Sequence, residues 1–166
     1  EYAQFLDNVY DTMFAELANA IYLLDGDIVE GCGTLPSGAL PTYILNCIVN
    51  RIINRLAFMQ IMRNFKGKPR SRQELCEMFE QYVRLLVHGD DSTNSISSEI
   101  VDVYNFASKQ AYFKSIGMTY TPADKSDTTY LCEPIEEATI GKRKWRYDPE
   151  YRIWKCPMEK PSILKT

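Results

Sequence analysis

Two hydrophobic periods alternate along this chain. Leu6, Val9, Met13 and Leu17 fall on one helical face and predict a helix over residues 4–18. Ala20 to Leu24 and Ile28 to Glu30 flank Asp25-Gly26-Asp27, a hairpin signal. Pro41 fits a helix only in its first turn, so a long helix starts near Thr42 and runs to about Arg63. Leu45, Ile48, Val49, Ile52, Ile53 and Leu56 recur at helical spacing and form a face expected to be buried. Thr42, Asn46, Asn50 and Asn54 make a polar stripe beside it, read at Asn50 and Asn54 as a solvated flank. A breaker-rich loop and a short helix around Gln73 to Phe79 follow. A second hairpin then sets Tyr82 to Val87 and Ser92 to Ile96 around His88-Gly89-Asp90-Asp91. The remaining elements are a helix from about Ser98 to Ile116 with Gly117 as its stop, a strand over Met118 to Thr121, and a last hairpin. That hairpin joins Thr139 to Tyr147 and Tyr151 to Cys156 around Asp148-Pro149-Glu150. Such a mixture predicts an α+β fold, an antiparallel sheet with helices packed on one face.

Composition narrows this little. The chain has 166 residues, 45% hydrophobic and 12% aromatic, enough for one domain with a real core. No stretch of eighteen apolar residues and no basic leader with a cleavage site is present. The odd set Cys32, Cys47, Cys76, Cys132 and Cys156 contains no Cys-x-x-Cys pair, and the single His88 adds no zinc-ligand spacing, so a reducing compartment is the natural reading. Basic charge clusters in Lys66-Gly67-Lys68-Pro69-Arg70-Ser71-Arg72, read as a solvated loop, and in Lys142-Arg143-Lys144-Trp145-Arg146.

The candidate chemistry begins at Asp90 and Asp91, two adjacent carboxylates projected from a tight turn, where a hard divalent cation can be held. By itself Gly-Asp-Asp is ordinary turn chemistry, because Gly supplies positive φ and Asp bonds its own backbone. Upstream, Gly31, Gly33 and Gly38 let a loop approach a ligand closely. Ser37, Thr42 and Asn46 then put two hydroxyls and an amide on that loop and the first turn of the helix, where a hydroxyl-bearing substrate can be read.

The pattern Gly33-x-x-x-Ser37-Gly38, then Thr42, Asn46 and Gly89-Asp90-Asp91, resembles motifs B and C of the RNA-dependent RNA polymerases of positive-strand RNA viruses. Gly117-Met118-Thr119-Tyr120-Thr121-Pro122-Ala123-Asp124-Lys125-Ser126 resembles motif D of the picornavirus-like group, and Glu137 to Arg146 resembles motif E. The resemblance covers most of residues 31–146, in the family's order. It implies a ferredoxin-like polymerase palm, incomplete, with a small part of the fingers around residues 19–36 and the thumb beginning near 157–166. It implies template-directed transfer of nucleotides from NTPs to a primer 3′-hydroxyl by a two-metal mechanism. Asp90 and Asp91 are the implied metal ligands, for Mg²⁺ or alternatively Mn²⁺. Ser37, Gly38, Thr42 and Asn46 are implied to bind the nucleotide, Ser37 and Asn46 reading the ribose hydroxyls. Lys125 resembles the general acid for the leaving pyrophosphate. Lys142 and Arg143 resemble the primer grip, which holds phosphates without reading bases. Implied partners are template and primer RNA, NTPs, the missing fingers and thumb of the same polypeptide, and other viral replication proteins. The implied setting is the host cytoplasm, at membrane-associated replication complexes.

Two positions depart from the family's pattern. His88 stands where tyrosine is usual, and Ile140-Gly141 replaces an aromatic-leucine pair, the glycine suggesting a bulge. Net charge is −3, low for a protein that holds RNA, which suits a palm whose basic fingers lie elsewhere. The motif A aspartate has no good match: Asp7 and Asp11 lie in a helical context too close to Ser37, so that ligand is expected outside the chain and the chain alone is expected to be inactive. Two rival readings stay open here. One is a reverse-transcriptase palm, against which Ser37, Thr42 and Asn46 argue; the other is a non-enzymatic ferredoxin-like module stacking single-stranded RNA on aromatics.

Overall fold

A computed structural model describes residues 2–32, 41–126 and 129–164. It divides into two compact units, Glu1–Leu45 and Asn46–Thr166. In the first, helix α1 (Tyr2–Ala18) runs directly into strand β1 (Asn19–Leu24), which pairs antiparallel with β2 (Asp27–Cys32). The turn Asp25-Gly26 takes positive φ at both positions, 50° and 95°, as a type I′ hairpin requires. Helix α2 (Thr42–Met62) contains the boundary between the units.

The second unit is built around Phe58, Met62, Leu75, Phe79, Val83, Ile100 and Tyr104. The Phe58 ring meets Phe79 and Tyr104 edge-on, at 5.2 and 5.1 Å between centroids. The burial of α2 therefore differs from the expected pattern. Ile48, Val49, Ile52 and Leu56 are exposed, and the side facing the core carries Asn54, Ala57, Phe58 and Met62. Helix α3 (Arg72–Tyr82) is started by a reciprocal capping box between Ser71 and Glu74 and passes without a break into strand β3 (Val83–His88). Strand β4 (Asp91–Ile96) returns in register, with His88 opposite Asp91 and Val83 opposite Ile96.

The helix expected from Ser98 is shorter. Helix α4 covers Phe106–Ser115, because extended Asn105 (φ −151°) caps it by accepting from the Ser108 amide. Residues 98–105 are turns that carry Ile100 and Tyr104 into the core. Gly117 (φ 77°) does stop the helix, with Gly117 N–H on Lys114 O and Met118 N–H on Phe113 O, a Schellman pair. No strand forms over residues 118–121. Instead Tyr120 folds back on α4, its ring stacked on Phe113 at 4.7 Å and its backbone oxygen accepting from Gln110.

The expected last hairpin is two. Strands β5 (Thr139–Ile140) and β6 (Arg143–Lys144) reverse at Gly141-Lys142, and β7 (Arg146–Asp148) and β8 (Ile153–Lys155) form the second. Gly141 is thus a turn residue and not a bulge: it and Lys142 take φ of 55° and 60°, another type I′ pair. The Lys144 amide donates to Pro157 O and the Glu159 amide to Lys142 O, tying the segment before helix α5 (Lys160–Ile163) to this hairpin. The fold is mixed α+β with antiparallel pairing throughout, but among the described residues the strands make four two-stranded sheets and not one continuous sheet. At the closest approach, β5 lies against β4 without joining its ladder. There the Gly141 amide goes to a side chain of β4, the Asp91 carboxylate, and not to its backbone.

Candidate active site

The Gly89-Asp90 turn places the two carboxylates. Gly89 is buried with φ 63°, positive at the first central position as in a type II′ turn. Its amide donates to Cys47 Sγ at 3.1 Å, one of four free thiols among the described residues, with Cys76, Cys132 and Cys156. Asn50, three residues further along α2, directs Nδ2 at three successive carbonyls of the hairpin: Gly89 O at 3.2 Å, Asp90 O at 2.8 Å and Asp91 O at 3.1 Å. Behind it, buried Asn54 donates through Nδ2 to Asn50 Oδ1 (2.7 Å) and Asn50 O (2.9 Å). The expected solvated flank is therefore the surface that holds the hairpin. A stripe of amides carried a usable signal, since asparagine is a poor helix former and three at four-residue spacing lower helix propensity without a return unless they bond something.

Asp90 and Asp91 are both exposed. Asp91 Oδ2 accepts from the Gly141 amide at 3.1 Å, bringing the β5–β6 turn to the carboxylates. No hydrogen bond or ion pair engages the Asp90 side chain among the described residues. A Cβ on Gly141 would stand 2.7 Å from His88 Cδ2 and 3.0 Å from Nε2, so the two departures from the family's pattern are neighbours in space. The carboxylates are hard oxygen donors at the surface, and among the described residues one Asp91 oxygen and both Asp90 oxygens are open, which fits a cation that keeps waters or phosphates as further ligands. Among the described residues no three His, Cys, Asp or Glu side chains gather as a metal-binding group; Asp90 and Asp91 stand as an adjacent pair.

The other sequence-derived site residues are placed as follows. Ser37 and Gly38 lie outside the described residues. Thr42 is buried at the start of α2. Asn46 is half-buried one turn before Asn50 on the same face of α2, the face that meets the hairpin turn. Lys125 sits exposed at φ 58° in a turn closed by its amide on Pro122 O. Its neighbour Asp124 is held below the usual carboxylate range by hydrogen bonds from Ser126. Lys142 is exposed at the tip of the β5–β6 turn, and Arg143 Nη1 donates to Cys156 O at 3.0 Å. Asp7 and Asp11 are exposed on α1.

Nothing in the residue pattern marked Lys109. It is buried, with Nζ 2.8 Å from the Tyr120 hydroxyl and 4.7 Å from its ring centroid, and burial pushes the amine down to about 7. Ser92 of β4 also acts on the Tyr120 hydroxyl, pulling it down against the larger upward push of burial, so this pair sits beside the strand that begins at Asp91.

A family model for viral RNA-dependent RNA polymerase matches residues 2–166. The chain is 34% identical to the genome polyprotein of Rice tungro spherical virus (strain Vt6) over 133 residues, 78% of this chain and 4% of that polyprotein. It is 30% identical to the RNA1 polyprotein of Andean potato mottle virus over 85% of this chain and 19% of the relative. It is 25% identical to the replicase polyprotein of Drosophila C virus (strain EB) over 89% and 8%. The chain belongs to the viral RNA-dependent RNA polymerase family. It spans less than a fifth of the length of each of these relatives. The match agrees with the picorna-like motif reading over residues 31–146 and sets aside the reverse-transcriptase and non-enzymatic readings.

Proposed function

We propose that this chain is the palm portion of an RNA-directed RNA polymerase that replicates a positive-strand RNA virus, with part of the fingers around residues 19–36 and the thumb beginning near 157–166. The observation that carries the reading is the seating of Asp90 and Asp91 between α2, one turn from Asn46, and the Gly141-Lys142 turn. A ribose-reading amide, a carboxylate pair and a cationic turn then border one site.

In the reaction, the primer 3′-hydroxyl attacks the α-phosphorus of an NTP; the phosphodiester bond forms as the bond to the β-phosphate breaks and pyrophosphate leaves. Asp90 and Asp91 would hold Mg²⁺ or Mn²⁺, which in a pair stabilises the attacking and leaving oxygens. Ser37 and Asn46, supported by Gly38 and Thr42, select ribose over deoxyribose. Lys142 and Arg143 hold primer phosphates, and Lys125 gives a proton to pyrophosphate. A further carboxylate comes from another part of the same polypeptide, so the isolated chain does not polymerise. Template and primer RNA are the macromolecular substrates. The enzyme works with other viral replication proteins at membrane-associated complexes in the host cytoplasm; among the described residues no helix is long and apolar enough to cross a membrane.

The test is primer extension by the full polymerase containing this chain. Loss of a metal ligand removes several kcal/mol of transition-state stabilisation, so Asp90→Asn lowers kcat about a hundredfold or more. Undiminished extension would overturn the metal assignment. Asn46→Ala narrows the preference for ribonucleotides over deoxyribonucleotides; an unchanged preference removes Asn46 from the site.

A further inference from the structure

The geometry points to Asn50 as a positioning residue for the Asp90–Asp91 carboxylates, oriented by Asn54; this rests on the metal reading above and extends it. All three hairpin groups within reach of Asn50 Nδ2 are carbonyl oxygens, so the amide must present its two protons, shared over three acceptors, and keep Oδ1 turned away. Asn54 enforces that orientation, because its Nδ2 donates to Asn50 Oδ1 at 2.7 Å. The arrangement has a cost. Asn54 is fully buried and its own Oδ1 finds no donor among the described residues, so an apolar side chain at 54 would serve the core at least as well. What the amide does there is fix its neighbour.

The neighbour in turn fixes the backbone from which two adjacent carboxylates hang. Like charges so close repel, and a free two-residue turn can rotate to separate them. With Gly89 N–H on Cys47 Sγ and three carbonyls on Asn50, the turn is held from one side along its whole length, and its carboxylates stay paired before a cation arrives. Groups that orient metal ligands in this way typically change metal affinity or activity about 10- to 100-fold when removed.

The experiment uses the full polymerase, with Mn²⁺ binding followed by electron paramagnetic resonance beside steady-state primer extension. Asn50→Ala is expected to raise the Mn²⁺ Kd and lower kcat, each roughly tenfold, with the KM for NTP within about twofold. Asn54→Leu removes only the orienting donor and relieves the unsatisfied acceptor, so it folds as the parent does and shows a smaller change in the same direction. Parental Mn²⁺ Kd in both variants would overturn the assignment. So would an Asn50→Ala defect confined to the KM for NTP. Asp90→Asn in parallel separates the two ideas: weakened Mn²⁺ binding there, with none in the Asn variants, overturns the positioning role alone. Unchanged binding in all three overturns the metal reading and this inference with it.

Discussion

The hairpins β1–β2 and β3–β4 are built to one length, six residues, a two-residue turn and six residues, and their turns use the same two residue types in opposite order. Asp25-Gly26 needs positive φ at both positions and is held by its own conformational preference. Gly89-Asp90 needs it only at Gly89, and its polar groups are taken up by Cys47 and Asn50 on α2. The strands differ in the same way. Ile21, Leu23 and Ile28 are 74, 76 and 78% exposed, whereas Val83 is 2% exposed in the core. Local sequence suffices to make a reversal; anchoring from a helix far along the chain makes a site of it.

Matched substitutions in the two hairpins put this to the test. The largest contrast is in activity: Asp90→Asn removes about a hundredfold or more of primer extension, and Asp25→Asn, an equally good type I′ residue, leaves the rate within about twofold. Next is Gly141→Ala against Gly26→Ala, measured by denaturant unfolding. Both meet the left-handed penalty of about 1–2 kcal/mol, but only the first drives a Cβ into His88, while Gly26 faces open space. Gly141→Ala is therefore the costlier by about 1 kcal/mol or more, and adding His88→Ala recovers the difference. Of comparable size, Val83→Ala costs about 1–3 kcal/mol and Ile21→Ala within about 0.5 kcal/mol.

Between pH 7 and the ordinary lysine value of 10.5, unfolded Lys109 holds a proton that the folded amine lacks. Stability therefore rises with pH through that window, at up to about 1 kcal/mol per unit. Burial pushes Tyr104 and Tyr120 up, the direction opposite to Lys109. Lys109→Met should flatten the slope between pH 7.5 and 9.5 in thermal melts. A slope retained by the variant would assign the dependence elsewhere.

The elements whose signals are local were legible in the sequence. Asp25-Gly26, the Gly117 stop and the carboxylate turn each declare themselves within a few residues. The helix start at Asn105 was hidden because its capping partner, Ser108, is a weaker mark than the glutamate usual in a capping box. The burial of α2 was misjudged because periodicity finds an apolar stripe but not which neighbours surround it; here the core lies over Phe58 and Met62, and Asn54 points into it. The site divides likewise. Asp90 and Asp91 were marked by a local turn signal and by the motif resemblance, whereas Asn50 and the Gly141 amide act on groups about 40 to 50 residues away in sequence, and Asn54 acts through Asn50.

The bonds around the β5–β6 turn also make a mechanical linkage. Lys142 O receives the Glu159 amide just ahead of α5, while the adjoining Gly141 amide grips Asp91. A tug on α5 thus reaches the Asp91 carboxylate through two hydrogen bonds and the short Gly141-Lys142 backbone between them, a lever with almost no slack.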